Sequence, residues 1–242
     1  MKTPRNTWRS AGVTDTGCIR ERNEDAFLIC NKQKLWAVAD GMGGHDAGDV
    51  ASQIVIRHLQ QYQATPLLGR NVRQITHLLQ SANDFLILKA LSTNKNIIGS
   101  TVCVLLAHRK HCVFLWAGDS RIYRLRNGHF QQITQDHSES EELIEAGMTK
   151  EEVSRLPHSE AITRAVGSDI YLNLEISMRA FEQGDTYLLC SDGLYKELSE
   201  LDIANSVSTH SLDECVETLL GKALQRQARD NITIVEVKAP QH

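Results

Sequence analysis

Four aspartates in this chain stand where an apolar run begins or stops. Asp40 ends LWAVAD, Asp119 follows VFLWAG, Asp192 follows YLLCS, and Asp230 immediately precedes NITIVEV. Asp40, Asp119 and Asp192 adjoin glycine, and the neighbours Glu24 and Asp25 open another apolar run, AFLIC. A carboxylate at a strand end is fixed by the sheet yet faces out of it. Several at one sheet rim repel one another, so such a cluster needs cations to be stable. Hard oxygen ligands without a cysteine or histidine set favour Mg2+ or Mn2+ over zinc. One Asp-Gly alone is a common turn dipeptide. Repetition of the arrangement at four strand ends weakens that plain reading.

The loop DGMGGHDAGDVAS, residues 40–52, carries Asp40 into a helix expected to begin near Asp49. Glycine costs stability inside regular elements, so this density implies tight turns or close approach to a ligand. Gly41 would let its carbonyl reach a metal, while Gly43, Gly44 and Gly48 let the loop turn tightly. Nucleotide binding fits poorly. The GxGxxG pattern breaks at Asp46, and no GK[ST] follows.

These residues need a scaffold, and the patterning supplies one. WRSAGVT, DAFLIC and LWAVAD read as strands. Val50, Ile54, Val55, Leu59 and Tyr62 recur at helical spacing, as do Val72, Ile75, Leu78, Leu79, Ala82, Phe85 and Leu86. STVCVLLAH, HCVFLWAG and SRIYRLRNGHF are strand-like, with short turns between them. A charged stretch at 135–160 interrupts them, after which ITRAV, LNLEISM and DTYLLC read as strands. A helix over 212–225 precedes the last strand, NITIVEV. Short-turn strands with grouped helix pairs predict an α+β fold, with antiparallel sheets covered by helices.

Bulk properties exclude other classes. With 242 residues and no visible linker or repeat, one domain spanning 1–242 is expected. Net charge is −4 and basic residues are scattered, which argues against a nucleic-acid surface. The longest apolar run, VCVLLA, is too short to span a membrane. MKTPRNTWRS contains no apolar core for a signal peptide. Six cysteines without a CxxC pair suit buried reduced thiols in a cytoplasmic protein.

Eight segments in order carry a resemblance: RERNEDAF (20–27), DGMGGHDAGDVAS (40–52), GSTVCVLL (99–106), AGDSRIYRLRNG (117–128), ITQDHS (133–138), ITRAVGSD (162–169), LLCSDGLYKEL (188–198) and ARDNITIVEV (228–237). Together they resemble the signature motifs of the metal-dependent type 2C Ser/Thr protein phosphatases, in their compact bacterial form. The resemblance implies a four-layer αββα sandwich of two antiparallel sheets flanked by helix pairs. It implies hydrolysis of phosphoserine and phosphothreonine by direct attack of a water bridging two Mn2+ or Mg2+ ions. Asp40 would bridge the ions, Asp192 and Asp230 would complete one, and the Gly41 carbonyl would serve the other. Glu24 and Asp25 would act through ordered waters, and Asp119 with Asp192 would hold a weaker third ion. Arg20 matches the phosphate-binding arginine, whose planar fork suits two phosphoryl oxygens.

His45 is the candidate acid for the leaving alkoxide. Animal members carry a histidine directly after the metal-ligating Asp-Gly, where this chain has Met42. Residues 135–160 resemble the flap beside the active site. Implied partners are phosphorylated proteins, namely a Ser/Thr kinase and its targets. The chain also resembles the subgroup associated with type VI secretion, whose partners would be a kinase and a forkhead-associated protein.

Two rival readings use other features. Cys103 and Arg109 satisfy the C-x5-R pattern of cysteine-dependent tyrosine phosphatases, but no glycine-rich loop follows Cys103. A non-catalytic scaffold would be expected to have lost a ligand, whereas Arg20, Glu24, Asp40, Asp192 and Asp230 are all present.

Overall fold

The structure is a computed structural model that describes residues 7–43, 47–95, 97–156 and 160–241. Its strands are β1 (Arg9–Asp15), β2 (Asp25–Cys30), β3 (Leu35–Met42), β4 (Gly99–Ser100), β5 (Val102–His108), β6 (His111–Ala117), β7 (Arg121–Arg126), β8 (His129–Gln132), β9 (Glu175–Ala180), β10 (Thr186–Cys190) and β11 (Ile232–Lys238). Its helices are α1 (Gly48–Leu59), α2 (Leu68–Ser92), α3 (Glu139–Glu145), α4 (Lys150–Val153), α5 (Asp192–Tyr195), α6 (Glu200–Thr209) and α7 (Leu212–Gln225). One sheet runs β1-β11-β10-β7-β8, and the other β2-β3-β5-β6-β9 with β4 beside β3. The pairings in both are antiparallel.

Alternation of side chains explains the layers. In β3, Leu35, Ala37 and Ala39 pack toward α1 and α2, together with Val55, Leu59, Leu79 and Leu86. Trp36 and Val38 point the other way, into a core shared with Phe114, Tyr187 and Val235. In β5, Val102, Val104 and Leu106 face the helices, while Cys103 and Leu105 face the second sheet. Both faces are buried, which is why these strands read as unbroken apolar runs instead of alternating ones. A third cluster joins Tyr123, Leu188 and Ile234 to Ile203, Val207, Leu219 and Ala223 of α6 and α7. The result is the αββα sandwich that the resemblance implied.

Local signals explain several boundaries. Asn127 and Gly128 both take positive φ (50° and 79°), forming the hairpin turn that divides SRIYRLRNGHF into β7 and β8. Ser211 and Glu214 form a capping box at the start of α7.

The structure corrects the expected strand ITRAV. It makes only isolated bridges, Ser138 with Ile162 and Ser100 with Val166. Val166 is buried against α2 and β4, so the segment is apolar because it plugs the core, not because it pairs along its length. Expected as LNLEISM, the next strand instead runs Glu175–Ala180, shifted toward the C-terminus. The helix α6 was not anticipated, because Ile203 and Val207 give it only a thin apolar stripe. Among the described residues no helix is long and apolar enough to cross a membrane.

Candidate active site

The two sheets bring their carboxylates together at one rim. Antiparallel register sets Asp25 of β2 directly opposite Asp40 of β3. The Asp40 backbone is held on both sides by Thr101. The Asp40 N–H donates to Thr101 Oγ1 (3.1 Å), and the Thr101 N–H donates to the Asp40 carbonyl (2.8 Å). Thr101 Oγ1 also lies 2.7 Å from Ser120 Oγ, which ties β5 to the Gly118–Asp119–Ser120 turn. From the facing sheet come Asp192, which opens α5 just past β10, and Asp230 before β11. Ser191 Oγ donates to Asp25 Oδ2 at 2.7 Å, fastening one sheet to the other beneath these acids.

The 16–24 loop is anchored by Asn231. Its Oδ1 accepts from the Glu24 N–H (2.8 Å), and its amide donates to the carbonyls of Thr16 (2.8 Å) and Arg22 (2.9 Å). That places Arg20 NH2 2.7 Å from Asp230 Oδ2. The Glu24 carbonyl accepts from the Gly41 N–H at 3.0 Å. A Cβ on Gly41 would collide with the Gly48 carbonyl, and one on Gly48 would stand 2.6 Å from Glu24 Oε1. Both glycines are therefore required by packing. Glu24 lies against the first turn of α1, where a carboxylate is favoured by the exposed N–H groups.

The electrostatics show an acid cluster short of positive charge. Burial pushes Asp25 up to about 7, and the Asp192 and Asp230 charges add to this against the bonds from Ser191 and Thr233. Asp40 is raised well above the carboxylate range by burial, then by Asp25, Asp192, Asp119 and Asp230. Asp119 is pushed up to about 6 by burial and by Asp192, partly offset by Lys196. Asp25 Oδ1, Asp119 Oδ1 and Asp192 Oδ1 are buried without a hydrogen-bond partner. Buried polar atoms are rarely left so. Orphaned carboxylate oxygens on neighbouring acids are the donors a hard divalent cation takes, so the residue types fit such an ion. Among the described residues no three His, Cys, Asp or Glu side chains already converge as a finished chelate.

Beside the acids lies a cleft of about 170 Å3 lined by Asp119, Arg121, Asp136, Glu160, Tyr195 and Lys196 among others. Its floor is rigid. Arg121 forks onto Asp136 (2.7–3.0 Å) and lies 3.6 Å over the Tyr195 ring, whose hydroxyl donates to the Asp119 carbonyl at 3.0 Å. Residues 135–160 start from this floor and carry α3 and α4.

Asp25, Asp40, Asp119, Asp192 and Asp230 share one electrostatic site, with Arg20, Glu24 and Gly41 at its edge. His45 lies outside the described residues. Cys103 is fully buried in β5, and burial holds its thiol well above the usual range, which removes the C-x5-R alternative. All six cysteines are free. Sequence reasoning missed Ser191, Thr101 and Asn231. Ser191 and Asn231 each adjoin a predicted acid, a signal that could have marked them, whereas Thr101 meets Asp40 only through the fold.

Facing sheets that pool aspartates at one rim make a site suited to hydrolysis with divalent cations. Residues 19–231 match the Protein phosphatase 2C family, and the chain belongs to it. The serine/threonine phosphatase stp of Listeria innocua is 34% identical over 235 residues, covering 93% of each chain. PppA of Pseudomonas aeruginosa, described as a key regulatory component of T6SS, superposes with a TM-score of 0.90 at 36% identity, covering 96% of this chain and 98% of that one. The catalytic domain of the phosphatase PstP in complex with 2 manganese ions superposes with a TM-score of 0.85 at 30% identity, covering 96% and 98%. The protein is a Ser/Thr phosphatase acting on phosphoproteins.

Proposed function

We propose that the rim carboxylates hold two Mn2+ or Mg2+ ions, and that residues 1–242 act as one catalytic domain. The observation that carries this reading is the trio of buried, unpartnered oxygens on Asp25, Asp119 and Asp192. The manganese complex of the similar PstP domain supports the choice of metal. Asp40, opposite Asp25 across the β2–β3 pair, would serve both ions, with Asp192 and Asp230 for one and the Gly41 carbonyl for the other. Glu24 and Asp25 would orient waters around them. When bound, the ions neutralise phosphoryl charge and supply a nucleophilic water at neutral pH.

The remaining steps belong to this chain's own residues. Arg20 is aimed at the rim by Asp230 and presents its remaining N–H groups to the phosphoryl oxygens. His45, between β3 and α1 in sequence, protonates the leaving alkoxide. Asp136, Ser138, Ser140 and Glu160 of the flap line the cleft beside the acids, and the flap influences which phosphopeptides enter. Partners in this reading are a Ser/Thr kinase and its targets. The likeness to PppA favours a type VI secretion setting, with a forkhead-associated protein as one substrate.

The decisive experiment is hydrolysis of a phosphothreonine peptide by metal-stripped protein titrated with Mn2+, beside Asp192→Asn. Activity that appears only with metal, and is lost in the variant, is the expected result. Activity surviving the stripping would sink the metal reading.

A further inference from the structure

Lys196 follows α5 directly, one helical turn after Asp192. Its Nζ lies 2.8 Å from Asp192 Oδ2 and 3.3 Å from Glu160 Oε2, at the far end of the flap. The residue before it is clamped: Tyr195 lies beneath the Arg121 guanidinium and its hydroxyl reaches Asp119. The ammonium is thereby held at the edge of the acid cluster, where its charge also acts on Asp119. Asp192 divides its carboxylate. Oδ2 takes the ammonium, while Oδ1 is buried without a hydrogen-bond partner.

Asp119 and Asp192 are the pair to which the family resemblance assigned a weaker third ion. A divalent ion at Asp192 Oδ2 would have to displace the ammonium and sit beside it. A cation tethered four residues away competes at millimolar effective concentration or above, enough to exclude a weakly held ion. We propose that Lys196 supplants the third ion: its ammonium neutralises Asp192 Oδ2, leaves Oδ1 to the core pair, and links the rim to the flap through Glu160. This inference rests on the two-ion reading above.

Counting Mn2+ bound per chain tests it, by electron paramagnetic resonance of free ion against total in the full chain. The variants are Lys196→Ala, Lys196→Arg and Lys196→Ala with Asp119→Asn, each checked for fold by circular dichroism. The wild type and Lys196→Arg should hold two ions, Lys196→Ala should gain a third, and adding Asp119→Asn should abolish the gain. A third ion in the wild type, or none gained by folded Lys196→Ala, overturns the proposal. A wild type that binds no Mn2+ overturns the two-ion reading itself, a result distinct from either.

Discussion

Ser191, at the end of a strand in one sheet, donates a 2.7 Å hydrogen bond to Asp25 on the other sheet, 166 residues away in sequence. The same hydroxyl oxygen accepts the Thr233 N–H at 2.9 Å. One buried serine thus joins the two sheets and satisfies half of a buried carboxylate. Ser191→Ala would leave Asp25 Oδ2 and the Thr233 N–H without that partner. A loss of about 1–3 kcal/mol is expected, read by urea denaturation of metal-free protein. Affinity for Mn2+ should fall as well, since Asp25 would no longer be held facing Asp40. A variant with unchanged stability and unchanged Mn2+ affinity would show that the bond is incidental.

Asn231 acts through position. Its amide side chain makes the three bonds that fix the loop carrying Arg20 and Glu24. Asn231→Ala should loosen that loop and raise KM for a phosphopeptide about tenfold, corresponding to about 1.4 kcal/mol of lost binding. The number of bound Mn2+ ions should be kept, because Asp40 and Asp192 are fixed from elsewhere. Loss of metal together with the rise in KM would assign Asn231 to the metal site instead.

Far from the rim, Arg126 forks onto Asp185 through Nε–Oδ1 (2.7 Å) and NH2–Oδ2 (2.6 Å), and Asp185 is 1% exposed. Arg126→Met leaves that carboxylate in the interior with only the Glu182 N–H and the Tyr187 hydroxyl. Breaking a buried pair by removing one partner costs about 3–5 kcal/mol. Folded variant should retain kcat and Mn2+ affinity at low temperature while its Tm drops. A Tm within a degree of wild type would place the pair among ion pairs that contribute nothing measurable.

How much of this was legible in the sequence depended on what each residue must look like. Asp40, Asp119 and Asp192 were visible because each ends a strand buried on both faces, so an acid after a long apolar run is conspicuous. Ser191, Thr101 and Asn231 were not, because serine, threonine and asparagine are ordinary at strand ends and turns. Their partners are set by tertiary contact, as the span from Asn231 to Glu24 shows. The α6 helix escaped because its capping serine, Ser199, precedes only two well-separated buried apolar residues, Ile203 and Val207. ITRAV misled for the opposite reason: Ala165 and Val166 are buried, but burial there comes from plugging the core beside β4.

His137 gives the flap base a pH dependence of definite sign. The Gly118 N–H donates to its Nδ1 at 3.2 Å, so Nε2 carries the proton and donates to Glu175 Oε2 at 3.1 Å. The ring stacks on Trp116 with planes 7° apart. Arg164 NH1 stands 3.3 Å from Nε2, and Asp136, Glu141, Glu142 and Glu145 line the same cleft. Burial lowers the His137 pKa below its ordinary value, against the pull of Glu175, with Arg164 acting in the same direction as burial. In the unfolded chain the imidazole titrates at about 6.5. Between the lowered folded value and about 6.5 the unfolded state binds more protons. This contribution is therefore complete above about pH 6.5 and declines as the pH falls through that window. Protonation would also cost Gly118, the neighbour of Asp119, its acceptor on the ring. The unfolding free energy at pH 7.5 minus that at pH 5 should be more positive for the wild type than for His137→Gln, whose amide cannot titrate. Equal differences in the two proteins would show that His137 is not the group responsible.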